Sequence, residues 1–346
     1  MKNNFIDLFA GIGGIRIGFK LAGFNCVFSS EIDRFSRETY KAFFGEYPDN
    51  EDITTITKNR KSIESIIPSH SILTAGFPCQ PFSLAGVSKK NSMQKPHGFQ
   101  DMTSGTMFFH IKKIIQVKQP DIIFLENVKN LQSHNGNKTY SIIKNSLMKP
   151  MKGLEYIVAD KIIDASKWVP QHRERIFFVC IKKKKNIKKE INPDFIEEKI
   201  FPENPSTDKR DLSEILDHNC LEKYTLRDGT WNALKKHKAK HQKKGNGFGY
   251  GRINPPFKGK TTRTLSARYY KDGAEILIGN GEKTNPRRLT PLECLRLQGF
   301  PEKFEDFFNG TIEQPVSDNQ AYKQFGNAVA VPLIVDIAKN IKKYFY

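Results

Sequence analysis

Strand-like and helix-like segments alternate along the first 181 residues of this 346-residue chain. The strand-like segments are short apolar runs rich in β-branched and aromatic residues, and the segments between them carry apolar residues at helical spacing. Such alternation is typical of an α/β fold, in which helices cover a parallel or mostly parallel sheet. The predicted strands cover residues 5–9, 26–30, 72–75, 121–125 and 175–181, and predicted helices end near Leu21 and cover residues 107–117 and 141–147.

The alternation stops at a charged run, residues 182–190, which a proline-rich stretch follows. Such a change in composition is typical of a domain boundary. We therefore predict a large domain at residues 1–190, a smaller, irregular, mostly β domain at 191–317, and a C-terminal segment at 318–346 that returns to the first domain. The return is predicted by a helix whose apolar face is formed by Val331, Ile334, Ile337, Ala338 and Ile341.

The composition favours a nucleic-acid partner. Lys and Arg total 56 against 37 Asp and Glu, a formal net charge of +19, which suits a polyanion: nucleic acid first, an anionic membrane surface second. The chain shows neither a signal peptide nor a stretch of the length and apolarity of a membrane span. Its five cysteines include no Cys-x-x-Cys pair, which argues against a disulfide scaffold or a zinc site. We expect a cytoplasmic protein, without a metal, that faces DNA or RNA.

A glycine-rich turn, residues 7–14, follows the first predicted strand and opens the first helix. Glycines let the backbone pass close to a ligand, and the N–H groups at the start of a helix can bind an anion. Glu31 ends the second strand roughly 20 residues beyond the glycines, where a carboxylate can accept hydrogen bonds from a ribose. The pattern predicts a nucleotide-like ligand, either a dinucleotide or an adenosyl compound.

Three more motifs stand at or near the ends of predicted strands. Cys79, in the sequence Gly-Phe-Pro-Cys-Gln-Pro-Phe-Ser, follows one strand, and Glu126 ends another. Arg173 and Arg175 lead into the last strand. Because ligands of open α/β sheets bind outside the carboxyl ends of strands, these side chains are candidates for chemistry. The less specific interpretations are a buried apolar thiol, a helix-capping acid and surface ion pairs.

Taken together, these motifs resemble those of the DNA cytosine-5 methyltransferase family over nearly the whole chain. Six segments match in order, at residues 7–14, 76–83, 124–128, 171–176, 287–301 and 324–329. The resemblance implies a Rossmann-like, S-adenosylmethionine-dependent methyltransferase sheet, with a catalytic first domain and a target-recognition second domain. It also implies a double-stranded DNA substrate whose target cytosine is flipped out of the duplex.

The same resemblance assigns chemical roles. Cys79 would add to C6 of the cytosine, and Glu126 would protonate or hydrogen-bond N3. Arg175 would hold the cytosine carbonyl, and Arg173 would contact a nearby base or phosphate. S-adenosylmethionine would donate its methyl group to C5, and the base that removes the C5 proton is left open. The residues implied for binding the methyl donor are Phe9, Ala10, Gly11, Gly13, Glu31, Ile32, Asp52, Ile53, Pro78, Met107 and Asn327.

The expected DNA contacts lie in one loop and in the second domain. A basic helix at residues 234–244 is predicted to contact phosphates, and two β-type runs around Asp272 and Gly273 predict a hairpin within residues 263–278. The latter segment looks like the target-recognition region of Dcm-like enzymes, which modify the inner cytosine of CCWGG or CCNGG. The residues expected at DNA are Gln80, Ser83, Lys89, Lys90, Arg252, Arg263, Arg268, Tyr269 and Lys271.

One further local signal is structural. Thr290 and Glu293 form a capping-box pattern with proline at the first helical position, and Gly299 is placed to end that helix. The pattern predicts a short helix and no chemistry.

We expect a monomeric modification enzyme of a restriction–modification system, with a separate endonuclease as its counterpart. Three alternatives remain open: a tRNA cytosine-5 methyltransferase, a catalytically silent DNA-binding homologue, and a nicotinamide-dependent dehydrogenase. The long segment at 191–317 disfavours the first, and the complete set of Cys79, Glu126 and Arg175 disfavours the second. The third leaves Cys79 and the basic second domain without a role.

Overall fold

The structure, a computed structural model, describes residues 3–78, 107–183, 191–217, 220–245, 249–279 and 284–346. Its centre is a six-stranded sheet of β1 (Asn4–Leu8), β2 (Asn25–Ser30), β3 (Ile72–Gly76), β4 (Ile122–Val128), β5 (Tyr156–Asp164) and β6 (Glu174–Lys182). The strand order is β2-β1-β3-β4-β6-β5. β6 runs in the direction opposite to the other five strands of this sheet, which confirms a mostly parallel α/β sheet.

Helices pack on both faces of the sheet. The α-helices are α1 (Gly14–Leu21), α2 (Arg34–Phe44), α3 (Ile53–Ile56), α4 (Arg60–Ile66), α5 (Met107–Lys118), α6 (Lys138–Met148), α7 (Pro193–Ile200), α8 (Leu212–Ile215), α9 (Asp228–Lys243), α10 (Pro291–Leu297), α11 (Asp318–Asn327) and α12 (Val331–Phe345). Because side chains alternate along a strand, Phe5 packs towards α1 and α12, whereas Ile6 packs towards α3 to α6. The predicted C-terminal helix therefore docks on the first domain.

The segment at 191–317 is more helical than expected. It contains α7 to α10, and its two named strands, β7 (Arg252–Ile253) and β8 (Leu277–Ile278), have two residues each and pair in parallel. The expectation of a mostly β second domain was wrong for the described part of the chain. Its core also includes Ile12 and Ile17 of the first domain, and the three-part division of the chain stays a prediction.

The hairpin expected around Asp272 and Gly273 is not formed, because residues 267–275 follow a series of turns. Tyr269 is fully buried there. Its hydroxyl donates to the carbonyl of Ile276 at 2.6 Å and accepts from the N–H of Leu289 at 2.8 Å. The chain forms turns that bury this ring in the core, whereas the local pattern of β-type residues predicts extended strands.

None of the helices that the structure describes has the length and apolarity needed to cross a bilayer.

Candidate active site

The turn after β1 has the conformation of a ligand-binding loop. Phe9, Gly11 and Gly13 have φ angles of 55°, 56° and 82°, in the left-handed region that favours glycine. A Cβ on Gly13 would lie 2.3 Å from the ring of Phe44, whereas a Cβ on Gly11 would meet nothing within 4 Å. The glycine at position 13 is required by packing and backbone geometry, and open space adjoins the turn at Gly11.

Glu31 lies against this turn, as its spacing predicts. Its carboxylate accepts hydrogen bonds from the N–H groups of Gly11 at 2.7 Å and Asp33 at 2.8 Å, one to each oxygen. Burial raises the pKa of Glu31, and these N–H groups oppose that rise. Because a carboxylate oxygen can accept more than one hydrogen bond, both oxygens retain capacity for hydroxyl donors.

Three other residues expected at the methyl donor, Ile32, Asp52 and Ile53, lie near the end of β2. The N–H of Glu31 donates to the carbonyl of Asn50 at 3.0 Å, which brings the start of α3 to the end of β2. Asp52 caps that helix through the N–H of Thr54, and Ile53 is buried behind it. Ile32 is 66 % exposed. An apolar surface beside hydroxyl-accepting carboxylate oxygens fits an adenosyl group.

Of the others, Pro78 lies two residues beyond β3, Met107 begins α5 and Asn327 ends α11. Pro78 and Asn327 are exposed and Met107 is half-buried. Ala10 donates its N–H to the carbonyl of Ser30 at 3.0 Å, which joins the ends of β1 and β2.

Glu126 and Arg175 form a buried ion pair at the end of β4. Glu126 is 8 % exposed, and its Oε1 lies 3.0 Å from Nε of Arg175 on the neighbouring strand. Burial raises the pKa of Glu126, and the charges of Arg175 and Arg173 offset only part of that rise. A buried carboxyl group with a raised pKa can hold a proton at a higher pH than an exposed one, as a general acid requires.

Asn127 is a site residue that the sequence patterns did not single out. Its side-chain amide is buried and donates to the carbonyl of Phe77 at 2.9 Å. This hydrogen bond ties the end of β4 to the backbone two residues before Cys79. The available signal was its position directly after Glu126 in a matched motif.

Asp7 is a second such residue. It is fully buried, and Thr74 on β3 donates to its Oδ1 at 2.8 Å. Desolvation raises the pKa of Asp7 to about 7. The charge of Arg16 opposes that rise, and the charge of Glu31 adds to it.

Cys79 itself lies outside the described residues, and so do Gln80, Ser83, Lys89 and Lys90.

Arg173 does not reach towards a base or phosphate, which corrects the expectation from sequence. It is 1 % exposed, and its guanidinium donates to the carbonyls of Leu265, Gly326 and Ala328. Buried and bonded in this way, it holds protein segments together.

The described residues that we expected to contact DNA differ in their exposure to solvent. Arg263, Arg268 and Lys271 are exposed. Arg252 is half-buried, with its guanidinium carbon 5.7 Å from the centre of the Trp231 ring. Tyr269 is fully buried, so its assignment as a DNA contact was wrong.

This fold is also found in solved structures of methyltransferases. Solved structures with the same fold include a methyltransferase of Entamoeba histolytica, EhMeth, with a TM-score of 0.70 and 19 % identity over 100 % of this chain and 99 % of that one. The Dnmt2 methyltransferase of S. pombe also has a TM-score of 0.70, with 17 % identity over 99 % of each chain. At these identities the likeness concerns the fold alone.

Sequence similarity establishes the family. The family model described as "C-5 cytosine-specific DNA methylase" matches residues 3–343. The DNA-cytosine methyltransferase of Escherichia coli K12 is 46 % identical, covering 97 % of this chain and 76 % of that protein. The type II methyltransferase M.SsoII of Shigella sonnei is 46 % identical, covering 98 % and 80 %. The chain belongs to the C-5 cytosine-specific DNA methylase family and is a DNA (cytosine-5) methyltransferase, which implies S-adenosylmethionine as the methyl donor.

Across the described residues, no group of three or more His, Cys, Asp or Glu side chains is placed to hold a metal ion.

Proposed function

We propose that Cys79, Glu126 and Arg175 carry out methylation at C5 of a cytosine flipped out of double-stranded DNA. The observation that carries this proposal is the buried Glu126–Arg175 pair, with Oε1 and Nε 3.0 Å apart. Asn127 adds to it, because its hydrogen bond to Phe77 connects the pair to the segment that leads into Cys79. The acid and the cation thus lie at the sheet edge from which the chain continues to Cys79.

Each residue has a defined chemical task. The Cys79 thiolate adds to C6, and the electron density pushed into the ring is accommodated when Glu126 gives its proton to N3. Arg175 holds both Glu126 and the carbonyl at C2, so the ring is oriented as it is activated. S-adenosylmethionine, when bound, supplies an electrophilic methyl group for C5. Loss of the C5 proton and departure of the Cys79 thiolate then restore the aromatic ring.

We further propose that the target is the inner cytosine of CCWGG or CCNGG, and that the enzyme acts as the modification half of a restriction–modification system. The motivation is the likeness of residues 263–278 to the recognition region of Dcm-like enzymes. Similarity to the E. coli DNA-cytosine methyltransferase over 97 % of this chain supports it, as does similarity to several type II methyltransferases.

Bisulfite sequencing of DNA from a methylation-free host that expresses this chain tests both proposals. We expect unconverted cytosines only at the inner position of CCWGG or CCNGG, and none in a host that expresses Cys79→Ser. The same DNA should resist an endonuclease that methylation at this site blocks. Protection at another palindrome would refute the proposed target, and conversion of every cytosine in the presence of folded protein would refute the proposed roles.

We expect Glu31→Ala to weaken binding of S-adenosylhomocysteine by about 10- to 100-fold, because charged hydrogen-bond acceptors contribute roughly 1.5–3 kcal/mol. The change removes the proposed ribose acceptor and leaves the N–H of Gly11 without its carboxylate partner. Titration calorimetry gives the dissociation constant directly. Glu38→Ala, which removes a half-buried carboxylate that accepts from Tyr47, is the matched control and should bind as the wild type does. Equal affinity in all three proteins would remove Glu31 from the ribose site.

We also propose that α9 contacts DNA phosphates. Residues 229–271 contain twelve Lys and Arg and no Asp or Glu. The helix is anchored by Trp231, which is buried and packs against Tyr250 with their ring centroids 4.7 Å apart. At 100° per residue, Lys236, Lys240 and Lys243 fall on the opposite side, where they are exposed. Cations on one solvent-facing stripe suit a phosphate backbone.

Replacing Lys236, Lys240 and Lys243 together by Gln should therefore weaken DNA binding and reduce its salt dependence. Each lost phosphate contact lowers the slope of log Kd against log salt concentration by about 0.9, so a reduction of about 3 is expected. Fluorescence anisotropy on a labelled duplex over a salt series measures it. A control with the exposed Lys61, Lys149 and Lys152 changed to Gln carries the same charge change. Identical slopes for the two triple variants would contradict a specific role for α9.

A further inference from the structure

Arg173 lies where three distant parts of the chain meet. Its Nη1 donates to the carbonyl of Leu265 at 2.9 Å, and its Nη2 donates to the carbonyls of Gly326, at 2.9 Å, and Ala328. Its own N–H is held by Oδ1 of Asp164 at 2.9 Å. One buried guanidinium thus connects the start of β6 with residue 265 and with the end of α11.

The backbone on either side of Arg173 pairs with the same second segment. The N–H of Thr262 donates to the carbonyl of Pro170 at 2.8 Å, and the N–H of His172 donates to the carbonyl of Thr262 at 2.9 Å. Oε1 of Gln171 accepts from the N–H of Leu265 at 2.8 Å. Residues 262–265 therefore lie as an extended segment along residues 170–173.

The end of α11 closes the junction from the other side. A Cβ on Gly326 would lie 2.3 Å from the carbonyl carbon and oxygen of Ser266, so the two backbones touch without a side chain between them. Asn327, expected at the methyl donor, lies between Gly326 and Ala328, whose carbonyls accept hydrogen bonds from Arg173. Arg268, expected at DNA, follows two residues after Ser266.

The residue type suits this task. A guanidinium presents five N–H donors in a rigid planar fork, whereas an ammonium group is a single point on a flexible stem. Carbonyls that converge from separate segments need donors at fixed, separated positions. Lysine at 173 would keep the positive charge near Glu126 and lose this simultaneous contact.

We propose that Arg173 is a positioning residue that holds the Asn327 end of the methyl-donor site and the 262–268 side of the DNA site in register with the Glu126–Arg175 pair. This inference rests on the proposed function, because it takes Asn327 and Arg268 as ligand contacts. A residue that touches neither ligand then governs the affinity for both.

The test compares Arg173→Lys with Arg287→Lys, which makes the same change at another buried arginine, paired with Glu293 outside the site. Coupling through a packed junction changes an affinity by about 2- to 30-fold. We therefore expect Arg173→Lys to raise the dissociation constants of S-adenosylhomocysteine and of a CCWGG duplex by about tenfold each, with binding to a duplex lacking the site unchanged. Arg287→Lys should leave all three constants at the wild-type values.

Three results would overturn the proposal: wild-type affinities in Arg173→Lys, a loss for one ligand alone, or the same two-sided loss in Arg287→Lys. If Arg173→Lys fails to fold, Thr264→Val replaces it, because the Thr264 hydroxyl donates to the carbonyl of His172 in the same junction. The same pattern at about threefold is then expected, and wild-type affinities there would overturn the proposal. These are binding constants, so an inactive wild type would refute the proposed function separately.

Discussion

Glu126→Gln should lower kcat for cytosine methylation by about 10²- to 10⁴-fold, the usual contribution of a positioned general acid. The amide keeps the size of the side chain and its hydrogen bonding, but it has no proton to give to N3. Glu126 is buried next to Arg175, and its pKa is raised. The wild-type carboxyl group can therefore keep that proton at a pH above 4.5, the ordinary pKa of a glutamate. Initial rates with tritiated methyl donor measure the effect.

The pH profile separates proton donation from simple binding. A raised pKa means that the protonated, active form of Glu126 is present below that pKa and is lost as the pH rises through it. The wild-type kcat should fall with rising pH on this limb, and Glu126→Gln should lack the limb. Glu174→Gln makes the same chemical change at a half-exposed glutamate that pairs with Lys129, and it should retain the wild-type rate and profile. An active Glu126→Gln enzyme would remove Glu126 as the acid.

Glu293→Ala should lower the free energy of unfolding by about 3–5 kcal/mol, because it leaves a buried guanidinium without its counter-ion. Glu293 is fully buried and receives both Nη1 and Nη2 of Arg287 at 2.7 Å. The same carboxylate accepts the N–H of Thr290 at 2.7 Å and that of Asp217 at 2.8 Å. One side chain therefore satisfies four donors on three residues of the second segment.

Guanidinium chloride unfolding measures the loss, with the exposed Glu302→Ala as the control that should stay within about 0.5 kcal/mol of wild type. Replacing both partners, Glu293→Leu with Arg287→Met, should cost less than Glu293→Ala alone, since no unpaired charge is then buried. A loss below about 1 kcal/mol in Glu293→Ala would show that the pair is not held as the structure has it.

Short-range patterns were sufficient wherever the deciding contacts lie within one or two turns of chain. The capping box at Thr290 and Glu293 is formed, with proline at the first position of α10 and Gly299 just beyond the helix. The apolar face of α12 predicted its return to the sheet, because a helix with such a face must bury it. The contact between Gly11 and Glu31 followed from parallel strands, whose ends meet at one edge.

Patterns failed where distant parts of the chain decide. β5 was not among the predicted strands. It lies at the edge of the sheet with half-exposed positions and carries Asp160 and Lys161 within its span, so its apolar residues do not form a clear strand pattern. The β-type run around Tyr269 predicted extended strands, but a hydroxyl partner at Leu289, 20 residues on, and burial in the core favoured turns.

The sequence by itself determined the family, the α/β sheet, the Glu126 and Arg175 assignment to one edge, and the glycine turn with its acid, because each depends on residue type and local order. Only the tertiary structure decided that Arg173 is a buried junction and not a DNA contact. Its partners Leu265 and Gly326 lie 92 and 153 positions away. A guanidinium has the same chemistry at a phosphate as at a carbonyl, and the packing of distant segments determines which of the two it meets.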